Sequence, residues 1–250
     1  SFTSFKHGLD PDIILYPVES TISDVLITLC YVSILSLFFL PNAFGLYIIV
    51  LLCLILAISS LYFLYRNLKE REFVKTLKES FLTLILVAFI VNVTGSVLGK
   101  ISEAIGSRRE IYTVYPALID TIGDVGAVIG STATTKLALG TLKPSLSAMG
   151  NHMHEIIGAW IASIIMFIIY STLSLLIQGI FTPDAFIKFT TLLLTANVLA
   201  ASSIIAISWA VSIITFHRGL DPDNFVIPIE SSMADSMTTI SLFIALALIG

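Results

Sequence analysis

Charged residues are scarce in this sequence. Only 12% of the 250 residues are Asp, Glu, Lys or Arg, whereas 56% are apolar. A typical soluble domain is about 25% charged. A water-soluble fold could not hide so much apolar surface. The net charge of -4 is small and spread along the chain, so we expect no nucleic-acid partner.

Cysteine and histidine are also rare. Cys30 and Cys53 lie inside apolar runs, and we expect both to be free core thiols. His152 and His154 are two residues apart, which is the wrong spacing for one helical face, so surface histidines are favoured over metal ligands. The sequence has no phosphate-binding loop, zinc motif or serine nucleophile elbow. The acidic residues are therefore the main candidates for chemistry.

Long apolar runs fill most of the chain. A membrane-spanning helix needs about 20 mostly apolar residues, because the hydrocarbon core is about 30 Å thick. The sequence predicts an all-α bundle of seven such helices, at residues 13–39, 44–65, 80–99, 113–140, 152–180, 185–216 and 225–250. The helix at 113–140 contains Pro116, several glycines and two aspartates, so we expect it to be broken or tightly packed.

Positive charges lie mainly on one side of the predicted bundle. The amino terminus and the even-numbered connections share a side, and they carry Lys6, Arg66, Lys69, Arg71, Lys75, Lys78, Lys143 and Arg218. The other side has mainly Lys100, Arg108 and Arg109. Since basic loops tend to remain cytoplasmic, we expect a cytoplasmic amino terminus, and a solvated charged linker at residues 66–78.

A repeated segment is the most informative feature. Residues 8–24 align without gaps to residues 219–235, with nine of seventeen positions identical. Six crossings separate the two copies, so both run in the same direction and form parallel repeats about an axis along the membrane normal. A long apolar helix precedes the second copy, and we expect one before the first copy too. The first repeat is therefore expected to be incomplete in this sequence.

Both copies carry the same polar residues near the start of a predicted helix: Glu19, Ser20 and Asp24 in the first, and Glu230, Ser231 and Asp235 in the second. A carboxylate in a spanning helix costs about 2.5–3.5 kcal/mol on insertion scales and usually faces a cavity or an ion path. Two aspartates related by a pseudo-twofold axis would form a cation site. Two alternatives stay open: the glutamates can face water at the interface, and the acids that flank proline can be turn or cap residues, namely Asp10, Asp12, Asp221 and Asp223.

A second acidic cluster lies in the helix at 113–140. Asp120 and Asp124 are four residues apart and share a helical face. Gly123 and Gly126 allow another backbone to approach closely. Small residues alone would indicate ordinary helix packing, but acids among them indicate a functional role.

These two features together carry a family resemblance. The segment Pro-Ala-Leu-Ile-Asp-Thr-Ile-Gly-Asp-Val-Gly at 116–126, combined with the terminal helix that opens Gly-Leu-Asp-Pro, resembles the membrane domain of MgtE-type magnesium channels. A closer likeness is to the animal solute-carrier relatives, in which two such five-helix domains are fused. The resemblance implies that residues 1–40 hold the last helix of an incomplete first repeat. Residues 41–79 would be a linker helix with a charged cytoplasmic linker, and residues 80–250 a complete second repeat.

The resemblance also implies that Asp24 and Asp235 line the pore and hold hydrated Mg²⁺. Mg²⁺ takes oxygen ligands at about 2.0–2.1 Å and keeps several waters, so one or two carboxylates suffice to hold it. Where the family often has Gly-Asn, this chain has Gly123-Asp124, which adds a charge. The bacterial cytoplasmic sensing domains have no counterpart in the sequence, so their gating is not carried over.

Three other functions remain open. A cation-coupled secondary transporter, for example a Na⁺/Mg²⁺ exchanger, would share the fold. An intramembrane aspartyl protease also needs two aspartates, but it typically uses Gly-x-Gly-Asp, and Thr121-Ile-Gly-Asp124 lacks the first glycine. A purely structural subunit would leave the repeated acids without a purpose. We predict a plasma-membrane Mg²⁺ transporter that is not an enzyme. Its partners would be the bilayer, a divalent cation, and either the missing first-repeat helices or a second copy of the chain.

Overall fold

The computed structural model describes residues 6–8, 10–41, 43–106 and 108–249. This part of the chain forms seven α-helices and one short 3-10 helix, and it contains no strand. In chain order they are α1 (Pro11–Phe38), α2 (Phe44–Asn67), α3 (Arg71–Ile105), α4 (Arg109–Ala138), the 3-10 helix (Leu146–His152), α5 (Met153–Ile177), α6 (Pro183–His217) and α7 (Asp223–Ile249). The predicted all-α class is confirmed.

Six of the seven described α-helices are long and apolar enough to cross a membrane. The exception is α4, which has 30 residues and includes Asp120 and Asp124. At about 1.5 Å per residue, this length still exceeds the thickness of the hydrocarbon core. The helix runs without a break past Pro116, and more than half of its residues are buried. Of the two outcomes expected for this segment, the structure therefore shows tight packing and not a break.

The charged segment after α2 is shorter than expected. Residues 68–70 separate α2 from α3, and residues 71–78 form the first two turns of α3 instead of a solvated linker. This stretch has no glycine or proline, and Glu72 lies in the first turn, where a negative charge interacts favourably with the helix dipole. Good helix formers therefore extend α3 beyond its apolar run, while the side chains of Lys75 and Lys78 stay exposed.

The chain divides into two compact units, and residues 17–78 form the smaller one. It contains most of α1 and all of α2. Most of its large apolar side chains are exposed, as on helices that face lipid. Cys30 and Cys53 are unpaired as expected, but both are exposed, so the prediction that they are core thiols was wrong.

The larger unit, Ser1–Tyr16 with Glu79–Gly250, is built around α4. This helix packs against α5, α6 and α7, and α6 also packs along α7. The core includes Leu118 and Ile122 from α4, Phe167 from α5 and Leu193 from α6, all fully buried. Three more apolar helices thus pack around α4, and more than half of its residues are buried.

Glycines set the distance between α4 and α7. A Cβ atom built at Gly130 would overlap Cγ1 of Val226, and one built at Gly126 would lie 2.6 Å from Cγ of Glu230. Real Cβ atoms do not approach other carbon atoms that closely, so any larger residue would push the two helices apart. Gly123 and Gly126 were predicted to admit another backbone, whereas the group that lies against Gly126 is the side chain of Glu230.

The two copies of the repeat have the same local backbone. Gly8 and Gly219 both adopt left-handed conformations, with φ of 72° and 67°. A helix begins three or four residues after each glycine, and each helix contains the matching proline, Pro17 in α1 and Pro228 in α7. A glycine with positive φ ends one segment and lets the chain turn into the next helix. The repeat in sequence is thus a repeat in local conformation.

The contact between Gly130 and Val226 leads to a stability prediction. Gly130→Ala should destabilise the larger unit by about 1–3 kcal/mol, because the added methyl group forces α4 away from α7. The measurement is the thermal unfolding midpoint of the purified protein in detergent. Gly158→Ala is the matched control, since Gly158 also lies inside a helix but a Cβ there would contact nothing within 4 Å. This control should keep or raise the midpoint, because alanine favours helix. An equal loss in both variants would contradict the role given to Gly130.

Candidate cation site

Glu230 is the most deeply buried of the predicted site residues. It lies in the second turn of α7, and only 2% of its surface is exposed. Its carboxylate rests against α4, where a Cβ at Gly126 would lie 2.7 Å from Oε1 and one at Gly123 would lie 4.0 Å from the same atom. The alternative that Glu230 faces water at the interface was therefore wrong. The missing side chains of the two glycines create the space that the carboxylate fills.

Asp124 of α4 brings a second negative charge to this place. It is half-buried, and it lies close enough to Glu230 for the two charges to interact. The backbone of Ala127, one turn further along α4, hydrogen-bonds to the Glu230 carboxylate. Asp120, one turn before Asp124, is half-buried as well. The structure thus brings together the acids of α4 and one acid of the repeated motif.

Hydroxyl groups accompany Asp235 on α7. Asp235 is half-buried, and its charge interacts with Tyr115 of α4. The Tyr115 hydroxyl lies 2.6 Å from Oγ1 of Thr239, whose hydroxyl donates to the backbone carbonyl of Asp235. The hydroxyls of Thr94 in α3 and Ser236 are also hydrogen-bonded. Oxygen atoms from three helices therefore lie near this aspartate, and hydroxyls of this kind can accept hydrogen bonds from the water shell of a cation.

The candidate site residues of the first copy lie in the smaller unit. Glu19 and Asp24 of α1 are exposed there, and Ser20 is half-buried. Ser231, the counterpart of Ser20, is exposed in the larger unit. The two units are described separately, so the pairing of Asp24 with Asp235 stays a prediction.

The structure brings together few side chains that could bind a metal ion. Within the described ranges, no three His, Cys, Asp or Glu side chains lie close enough to hold a metal ion directly. A pair of carboxylates with nearby hydroxyls suits a cation that keeps most of its water, as Mg²⁺ does, better than a fully dehydrated ion such as a structural zinc.

Glu79 of α3 has a role that the sequence reading missed, since it was placed in the charged linker. The side chain is buried, with 7% exposed. Its Oε2 accepts a hydrogen bond from Asn224 Nδ2 at 2.9 Å and lies 3.4 Å from the backbone nitrogen of Asp221. A carboxylate at the amino-terminal end of α7 satisfies free N–H donors and interacts favourably with the helix dipole. Glu79 therefore ties α3 to the start of the helix that carries Glu230 and Asp235.

His152 was expected on the surface, but it is fully buried. Its ring packs beside Trp209 of α6, with 5.4 Å between ring centroids. The ring also contacts Lys136 of α4 and Glu155 of α5, which pair with each other at 2.5 Å. Spacing along the sequence could not reveal this, because the contacts join three helices. His154 is exposed, as predicted.

Comparison with known proteins gives two matches. The family model described as "MgtE: Divalent cation transporter" matches residues 115–245, which begin in α4 and end in α7. Solute carrier family 41 member 3 of Mus musculus is 26% identical over 251 residues, covering 94% of this chain and 50% of the relative. The chain thus spans about half the length of this curated relative. No solved structure matches.

The family match extends over more than half of the chain and includes every acid placed in the larger unit's candidate site. It favours transport over the aspartyl protease alternative, because the family is one of transporters. The six apolar helices agree with a multi-pass membrane protein. The chain belongs to the MgtE family of divalent cation transporters.

Proposed function

We propose that this protein carries Mg²⁺ across the plasma membrane along a pathway lined by acidic side chains. The observation that carries the proposal is the pair of acids at the interface of α4 and α7, where buried Glu230 lies against Gly126 and interacts with Asp124. Burial beside a second acid disfavours the ionised form of a carboxylate, which then either takes up a proton or shares its site with another positive species. A passing divalent cation is such a species.

The identity of the ion follows from the atoms that the site offers as ligands. The polar side chains described near the acids offer oxygen atoms. Mg²⁺ prefers oxygen ligands and releases its water reluctantly. Thiolate ligands, which would favour copper or zinc, are absent from the described residues around Glu230 and Asp235, and Cys30 and Cys53 lie within apolar stretches of α1 and α2. The name of the mouse relative places it among solute carriers, which agrees with transport of a small ion.

The proposed pathway needs both copies of the repeat. In this proposal Asp24 and Asp235 face each other across the pathway and together hold a largely hydrated cation. Residues 1–40 supply the last helix of a first repeat, residues 41–79 the linker, and residues 80–250 the second repeat. The remaining first-repeat helices come from preceding residues or from a second copy of the chain. The shared glycine conformation and the matched prolines support this assignment.

Flux measurements test the roles of Asp24 and Asp235. Asp24→Asn and Asp235→Asn should each reduce Mg²⁺ uptake into liposomes by about tenfold or more, because each removes half of the negative charge that attracts a 2+ ion. The double substitution should reduce uptake to the background level. Uptake is read from a Mg²⁺ indicator inside the liposomes, with and without a Na⁺ gradient, which separates a channel from an exchanger.

Asp184→Asn is the control for this experiment. Asp184 is an exposed acid in the first turn of α6, and its side chain pairs only with Lys188 of the same helix among the described ion pairs. Its loss should leave uptake unchanged. If the Asp24/Asp235 double substitution transports like the wild type, the pathway lies elsewhere and these aspartates are structural.

The pair formed by Asp124 and Glu230 leads to a second prediction. Asp124→Asn should reduce uptake less than Asp235→Asn does, if Asp124 acts on the ion through water. Because the two acids interact, Asp124→Asn and Glu230→Gln should be non-additive by about 0.5–3 kcal/mol in Mg²⁺ affinity. Affinity is measured from the rise of the thermal midpoint with Mg²⁺ concentration. Strictly additive effects would show that the two acids do not share a site.

The proposed orientation places the amino terminus and the start of α3 in the cytoplasm. In a background without native cysteines, Lys75→Cys should react with a membrane-impermeant thiol reagent only after the cells are opened, because basic segments remain cytoplasmic. Lys75 is exposed, so reaction is not blocked by packing. Asp184→Cys, at the opposite end of the bundle in this orientation, should react in intact cells. The reverse pattern would invert the assigned topology.

A further inference from the structure

A polar cluster lies at the end of α4 that is remote from Tyr115. It consists of Lys136 from α4, His152 from the 3-10 helix and Glu155 from α5. His152 is fully buried, whereas the side chains of Lys136 and Glu155 remain 32% and 23% exposed. The cluster is separate from the acid pair, since Lys136 follows Asp124 by twelve residues, or about 18 Å along a helix.

Hydrogen bonding assigns the proton on the His152 ring. The hydroxyl of Thr132 donates to the backbone carbonyl of Val128 at 2.5 Å. The same oxygen lies 3.0 Å from Nε2 of His152, so it acts there as the acceptor and Nε2 carries the hydrogen. In the neutral ring, Nδ1 is then the acceptor, and Lys136 Nζ lies 3.4 Å from it.

One oxygen of Glu155 is left without a donor. Lys136 Nζ holds Oε1 at 2.5 Å. Oε2 is buried and has no hydrogen-bond partner among the residues that the structure describes. Nδ1 of His152 lies 3.6 Å from it. A buried acceptor without a donor is unfavourable, and a hydrogen on Nδ1 would satisfy it.

We propose that His152, Glu155 and Lys136 form a proton-binding site at this end of the bundle. The proton binds at Nδ1 of His152, which changes from an acceptor for Lys136 into a donor for Oε2 of Glu155. Lys136 loses the Nδ1 acceptor and meets a second positive charge close by. Protonation therefore gives Glu155 a second partner, the histidine next to α5, which competes with the lysine of α4 for the carboxylate.

The packing around the ring supports this assignment. Charged groups face His152 from α4, as Lys136, and from α5, as Glu155, while α6 contributes the apolar ring of Trp209. The indole is itself fixed, because its Nε1 donates to the backbone carbonyl of Leu146 at 3.2 Å. Among the described residues, Lys136 and Glu155 are thus the charged groups that face the ring.

The consequence for transport rests on the proposed function. Lys136 belongs to the helix that carries Asp120 and Asp124, and its pairing with Glu155 joins α4 to α5. Protonation weakens this link and adds one positive charge at the end of the bundle. Since added positive charge lowers the local concentration of cations, acidification should reduce Mg²⁺ uptake.

Tryptophan fluorescence tests the proton site without any transport. The chain has two tryptophans, so Trp160→Phe leaves Trp209 as the reporter beside His152. A protonated imidazole quenches a neighbouring indole, so fluorescence should fall with acidification in one transition. His152→Gln should abolish the transition, whereas His154→Asn, which changes an exposed histidine two residues away, should leave it unchanged.

Substitution of the two charged partners gives opposite shifts. Glu155→Gln removes the anion and should move the midpoint of the transition to lower pH by about one unit, while Lys136→Gln removes the cation and should move it to higher pH. These two variants keep the test decisive even if His152→Gln does not fold. A transition that persists in His152→Gln, or shifts in the same direction in both partner variants, overturns the proposal.

Uptake of Mg²⁺ by the same variants separates the two proposals. Uptake should fall over the pH range of the fluorescence transition in the wild type, and this dependence should disappear in His152→Gln. If the fluorescence results hold but no variant or wild-type protein carries Mg²⁺, the proton site stands and the proposed function fails. If uptake occurs but the transition is absent, the proton site is overturned while the transport function stands.

Discussion

A carboxylate inside a membrane bundle must be satisfied by the protein, because neither lipid nor apolar side chains can replace water around it. Glu230 imposes this requirement on the larger unit. Its carboxylate needs polar groups on the facing helix and protection from lipid, and both come from α4. The central position of α4, with α5, α6 and α7 around it, follows from the same need. A helix with so many polar residues could not face lipid on its own.

Glycine makes this arrangement possible. At Gly126 the carboxylate occupies the volume of the missing side chain, and at Gly130 the same absence admits Val226. Small residues between membrane helices usually serve to bring two backbones together, and packing alone would explain Gly130. At Gly126 the space is filled by a charged group that interacts with Asp124. The same stripe of glycines therefore has a packing role at one position and an electrostatic role one turn away.

The helices could be predicted well from the sequence, because a spanning helix requires a continuous run of apolar residues. Six of the seven α-helices follow directly from apolar runs, and α4 follows from its glycines and acids. The start of α3 was misplaced because the helix continues beyond the apolar run, where composition no longer signals it.

Contacts between residues far apart in the sequence could not be predicted in this way. Glu79 contacts Asn224, and His152 contacts Lys136, yet nothing local to these residues records the contact. The burial of Glu230 was left undecided for the same reason, since it depends on the face that α7 presents to α4. The acids of α1 and α7 were predicted from the repeat, and Asp120 and Asp124 from their spacing among glycines, whereas the environment of these acids depends on how the helices pack.

The larger unit contains two pairs of ionisable side chains, one of a base with an acid and one of two acids. Lys136 and Glu155 have opposite signs, so each neutralises the other within the protein and the pair joins α4 to α5. Asp124 and Glu230 are both acids, so they repel each other when both are ionised and do not stabilise the interface by themselves. A pair of this second kind is held in place by the surrounding packing, which here includes the core of α4 and the fixed start of α7 at Glu79. A divalent cation beside the two acids would offset this repulsion, and the proposed transport of Mg²⁺ rests on that attraction.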